Sequence, residues 1–131
     1  MTFKNKIKNL FLPSFSRIQA QDQGEGQFVL LYKRLEIGNL ILKDSKWTFS
    51  YSDAFRQQNQ ILPIADFPNK ERVYINEVLW PFFASRIPST ATPYVQRKVT
   101  KNNINVHNQK DMLIYFGERS INNPFILEPL V

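Results

Sequence analysis

Leu35-Glu36-Ile37-Gly38-Asn39-Leu40-Ile41-Leu42-Lys43-Asp44-Ser45-Lys46-Trp47-Thr48-Phe49-Ser50-Tyr51 reads as two strands and the turn between them. Trp47, Phe49 and Tyr51 alternate with Thr48 and Ser50, the period-2 mark of a strand with one buried face. The polar run 43–46 is the turn, so the stretch folds as a hairpin on which a sheet can build. Gly38 inside the first strand points to a bulge or to a close approach of another backbone. Trp47 belongs to the core.

Upstream, Phe28-Val29-Leu30-Leu31-Tyr32 is apolar at consecutive positions. A strand of that kind is covered on both faces and sits centrally in its sheet. Residues 1–26 read instead as an extension: Lys4, Lys6, Lys8 and Arg17 stand among apolar residues with no acid before position 22. Phe3, Ile7, Leu10 and Phe11 have helical spacing until Pro13. The segment lacks the long apolar stretch and small-residue cleavage site of a secretory signal. It is expected to be a mobile arm or one docked on a partner, with the folded domain running over 27–131.

The chain carries 17 basic and 11 acidic residues, and four of the basic ones fall in that extension. The rest is close to balanced, and such a body does not suggest a nucleic-acid platform. With 131 residues the chain makes one domain with a thin core, rich in its eleven Phe. There is no cysteine, which removes disulfides, thiol nucleophiles and thiolate metal sites and fits a reducing, cytoplasmic setting. No apolar run approaches the ~20 residues of a membrane span.

Downstream of the hairpin, residues 52–59 suit one helical turn capped by Ser52 or Asp53. Ile61-Leu62-Pro63-Ile64 looks like an edge strand, because its proline cannot donate to a ladder. Val73-Tyr74-Ile75 is a last short strand before an aromatic segment, Val78-Leu79-Trp80-Pro81-Phe82-Phe83-Ala84-Ser85-Arg86-Ile87-Pro88-Ser89. Pro81 fits a helix first turn and Pro88 ends it, so the spacing predicts a helix of barely two turns. Phe83 and Ile87 share one face, with Phe82 beside them. So short a helix cannot stand alone and must pack on something. Beyond it, residues 94–101 follow the candidate caps Ser89, Thr90 and Thr92 as a helix that exposes Arg97, Lys98 and Lys101. Asn108 caps a helix over 109–116 that buries Met112, Leu113 and Phe116, with Gly117 in a left-handed terminal position. A strand over 125–127 closes the chain. The fold class is α+β: a small antiparallel sheet or partly open barrel, with short helices in the C-terminal half.

Enzyme chemistry finds no purchase. The lone His107 has no carboxylate or thiol set around it and reads as a loop residue. No paired carboxylates and no nucleophile–base set stand out, Ser89-Thr90 is better explained by helix capping, and no cofactor or metal is implied. Trp80, just outside a helix start, is either core or an exposed anchor of the kind that dominates binding hot spots. For Arg86, pairing with Glu77 or covering its helix is the plainer role.

Four stretches taken together carry a resemblance: Leu35-x-x-Gly38-x-Leu40, Trp47-x-Phe49-x-Tyr51, Leu62-Pro63-Ile64 and Phe82-Phe83-x-x-Arg86-Ile87-Pro88. In this order they resemble the amino-terminal subdomain of HipA-family kinases. The ending Phe116-Gly117-Glu118-Arg119-Ser120-Ile121-Asn122-Asn123-Pro124-Phe125 resembles the tail of its free-standing form, the HipS antitoxins of three-gene HipB–HipS–HipT systems. The resemblance spans about residues 27–128 and leaves the extension unexplained. It implies an antitoxin that neutralises a HipT-like serine/threonine kinase by docking as its separate subdomain, with Trp80, Phe82, Phe83, Arg86 and Ser89 as the partner-binding residues. A HipB-like DNA-binding protein is the further partner it suggests, in a ternary complex, with no membrane and no sequence-specific nucleic acid contacted directly. The chain itself has no Gly-rich loop, no His-Arg-Asp loop and no Asp-Phe-Gly metal site, so it is not the kinase. The reading from a different class is an accessory subunit that binds nucleic acid or assembles a complex through the basic extension.

Overall fold

The computed structural model describes residues 23–130. The expected extension therefore lies, up to residue 22, outside the described residues. The quoted hairpin is present as β2 (Leu35–Lys43) and β3 (Lys46–Tyr51), paired antiparallel from Lys43↔Lys46 to Gly38↔Tyr51. Its two turn residues, Asp44 and Ser45, both have positive φ, 52° and 65°. That is the mirror-image turn whose twist matches the flanking strands, here built without glycine. β1 (Gly26–Tyr32) pairs with β2 on one side and with β5 (Ile126–Leu130) on the other. β4 (Tyr74–Asn76) adds to β3, and the order β4-β3-β2-β1-β5 leaves an open, fully antiparallel sheet.

Gly38 meets both expectations. Leu30 pairs with Gly38 and Leu31 with Glu36, which leaves Ile37 as the extra residue of a β-bulge. A side chain on Gly38 would put its Cβ 2.4 Å from the Ser50 carbonyl oxygen and 2.8 Å from the Phe49 ring. The Ile37 carbonyl accepts the Ser52 N–H at 2.8 Å, one residue beyond the Gly38↔Tyr51 pair. There Ser52 caps α1 (Asp53–Arg56), its hydroxyl accepting from Phe55 N at 3.0 Å.

One face of the sheet carries Phe28, Leu30, Leu40, Leu42, Trp47 and Phe49, all buried. Against it pack Phe55, Phe67, Phe83 and Leu113. The rings interlock: Phe49 stacks on Phe67 at 4.3 Å and Tyr51 on Phe55 at 4.5 Å between centroids. β1 is flanked on both edges, and Val29 is buried on the opposite face, as its unbroken apolar run required.

Residues 61–64 do not form the expected edge strand. Instead of entering the ladder, the Ile64 N–H donates to the Tyr51 hydroxyl at 2.9 Å, and that hydroxyl donates to the Phe67 carbonyl at 2.6 Å. One buried phenol organises the loop, and burial pushes it up to about 12 from its ordinary 10.0. The aromatic segment gives α2 (Pro81–Ala84), shorter than expected, prolonged by Arg86 N→Phe83 O and Ile87 N→Ala84 O bonds. α3 (Pro93–Asn102) and α4 (Gln109–Phe116) form where expected, Asn108 capping α4 by accepting from Asp111 N at 3.0 Å. Thr92, at the start of α3, makes no side-chain cap, and Lys98 and Phe116, expected exposed and buried, are both half-buried.

The glycine after α4 departs from expectation. Gly117 has φ −91°, and it is Asn103, after α3, that takes the left-handed turn at φ 53°. Gly117 is needed for space: a Cβ would sit 2.7 Å from the Leu113 carbonyl oxygen.

Candidate partner-binding site

Trp80 precedes α2 in extended geometry and offers no side-chain cap. The cap comes from the 61–67 loop, where the Asp66 carboxylate accepts the Phe82 N–H at 3.0 Å. An acidic group at a helix start also suits the helix dipole. Trp80 is partly buried, with its ring edge-on to Phe67 at 5.0 Å and 78°. It is therefore neither swallowed by the core nor standing free.

The residues singled out from the sequence divide by depth. Phe83 is fully buried between Phe49 and Phe67, with centroids 5.7 and 6.0 Å away. Phe82 is partly exposed and packs edge-on to Phe83 at 5.0 Å and near Phe125 at 5.9 Å. Ser89 is exposed, its hydroxyl accepting from Ala91 N at 3.2 Å. Trp47 is fully buried, as expected.

Arg86 is the unexpected member. It is only 5% exposed, and its two terminal nitrogens make four hydrogen bonds. Nη1 donates to the carbonyls of Gly117 and Glu118, both at 3.1 Å. Nη2 donates to the Phe125 carbonyl at 3.0 Å and to Asn123 Oδ1 at 3.1 Å. The guanidinium thus closes the C-terminal end of α4, where carbonyl dipoles favour a cation. Burial pulls it down to about 10, so it is still charged at neutral pH. Only a planar fork reaches four acceptors at once, and this one ties α2 to the chain's last turn and strand.

Beside α2 lies an open groove of about 480 Å³, lined by Leu62, Pro63, Asp66, Phe82, Ser85 and Phe125 among others. Its rim includes Leu62, 78% exposed, and Ile121 stands fully exposed next to the lining residue Asn122. Sequence reading missed Leu62, Asp66 and Ile121 as neighbours of this segment. The one local signal is the proline after Leu62, which by itself reads as a strand-edge feature.

No group of His, Cys, Asp or Glu among the described residues could hold a metal ion. His107 lies exposed in the loop between α3 and α4. No helix among the described residues is long and apolar enough to cross a membrane. What the site offers is a surface: two aromatic side chains at its edge, an apolar groove with one carboxylate, and a locked interior behind. Compared with known proteins, residues 29–121 match the model of the HipA N-terminal domain family. No curated protein matches the chain.

Proposed function

The chain belongs to the HipA N-terminal domain family, and on that footing we propose that it is an antitoxin-type binding protein that restrains a separate HipT-like serine/threonine kinase. Membership gives a role in toxin–antitoxin biology, and the family is the amino-terminal domain of HipA rather than its kinase domain. In the proposed mechanism the protein docks where a fused kinase carries this domain and obstructs the catalytic cleft.

The observation that carries this reading is the mounting of the Trp80 segment. Trp80 and Phe82 remain partly exposed, Phe82 lining the apolar groove and Trp80 preceding it at the helix start, while Phe83 and Arg86 are buried behind them. Pre-ordered aromatic anchors lose little entropy on binding, which is what an inhibitor surface requires. Trp80 and Phe82 then make the contacts, Phe83 and Arg86 support them, and the exposed Ser89 is a further contact in this proposal.

Co-expression with a cognate HipT-like kinase tests the proposal: growth should be restored and the two proteins should co-purify. Trp80→Ala is expected to weaken binding by about tenfold or more, the scale of a hot-spot aromatic. Full suppression and unaltered affinity in that variant would remove the anchor role and leave the antitoxin role standing. Failure of the unmodified protein to bind or to rescue would remove both.

A further inference from the structure

The near-balance of charge in the body conceals a strong local excess. From Val78 through Lys110 there is no acidic residue, while Arg86, Arg97, Lys98, Lys101 and Lys110 fall in that span. Over the rest of the described chain acids outnumber bases, ten to eight. With Arg86 turned inward and Lys110 paired to Asp111 at 3.5 Å, the outward cations of this span lie on α3.

α3 is attached to the fold by one face only. Val95 is its single buried residue, and Tyr94, Gln96, Arg97, Thr100 and Lys101 are exposed. Arg97 and Lys101 are one helical turn apart and so share a face. Lys98 beside them is fixed in place, its ammonium donating to the Tyr115 carbonyl at 2.9 Å and lying 5.0 Å from the Phe116 ring centroid. Two shallow concavities run along the helix, and Arg97 and Lys101 line both.

We propose that this face of α3 is a second binding surface, distinct from the Trp80 segment, and that it takes the phosphate backbone of a nucleic acid without reading its sequence. A stable protein interface needs an apolar centre with buried anchors. Apart from the exposed Tyr94, this face has none. A polyanion needs no such centre, because counterion release supplies the affinity when Lys and Arg neutralise phosphates. Hydroxyl and amide side chains such as Thr100, Gln96 and Asn102 are the usual companions of those cations at a sugar–phosphate backbone.

The test uses the full chain and short labelled DNA duplexes of two unrelated sequences, titrated across a salt series. Both duplexes are expected to bind alike, with affinity falling as salt rises. R97E/K101E should reduce the slope of log K against log salt by about two and weaken binding by about tenfold or more. R97K/K101R should bind as the unmodified protein does, since a phosphate accepts either cation. The same comparison is repeated in a background with Lys4, Lys6 and Lys8 changed to Gln, where the loss caused by R97E/K101E should persist. Unaltered binding in R97E/K101E overturns the proposal, and so does a loss of binding that the three lysine changes produce and R97E/K101E does not. Tighter binding to polyglutamate than to DNA of equal charge assigns the face to an acidic protein and overturns it as well.

Discussion

Two buried polar side chains decide how this small aromatic core is closed. Arg86 holds three carbonyls and one amide oxygen that no shorter side chain could serve together. Arg86→Lys keeps the charge but cannot fork, and Arg86→Ala leaves buried acceptors unmet. We expect each to cost about 3 kcal/mol, as buried unpaired groups do, measurable by urea unfolding. Tyr51 is the second. Tyr51→Phe strands the Ile64 N–H and the Phe67 carbonyl and should cost about 2 kcal/mol. It should also change the alkaline profile. Because burial raises the folded phenol from 10.0 to about 12, its contribution is complete below pH 10. It is lost as pH rises through that window, where the unfolded phenol ionises and the folded one does not. Urea unfolding at several pH values should show the unmodified protein losing stability relative to Tyr51→Phe across that window.

At the scale of elements, local sequence signals and tertiary demands part company in instructive places. The hairpin was legible because its alternation, its polar turn and its lone glycine all agree with the sheet that forms. Its turn nevertheless places Asp44 and Ser45 at positive φ, where Asn and Gly are preferred. Replacing the pair with Asn-Gly should raise stability by about 1 kcal/mol, read as a higher thermal midpoint. Gly38→Ala should do the opposite, costing about 2 kcal/mol or more, because the Ser50 carbonyl lies 2.4 Å from the new Cβ and cannot retreat without breaking the ladder. The caps of α1 and α4 were legible from Ser52 and Asn108, since a cap is a local event. The 61–64 loop was not, because its conformation depends on a phenol more than ten residues earlier. Gly117 was misread for a related reason: sequence shows that a glycine is wanted, but not whether handedness or space demands it.

For the molecule as a whole, the first and last strands of the described chain lie side by side, β1 pairing with β5 from Gln27↔Leu130 to Leu31↔Ile126. Removing residues 126–131 takes fully buried Leu127 out of the core and bares one edge of β1. The loss of that side chain alone costs about 2–5 kcal/mol, a large part of the stability of a small domain. We expect the truncated protein to show no cooperative thermal transition by circular dichroism. The site was only half legible at this scale. Trp80, Phe82 and Phe83 announced themselves as a cluster, but the groove beside them is assembled from residues far apart in the chain, and Arg86 serves an end of the molecule that its own neighbourhood does not hint at. That clasp has a practical corollary. Cut loose from the tail it grips, the Trp80 segment would have nothing to hold its shape. A synthetic peptide copying residues 78–89 should therefore make a poor decoy for whatever the intact protein captures, however faithfully it reproduces the letters.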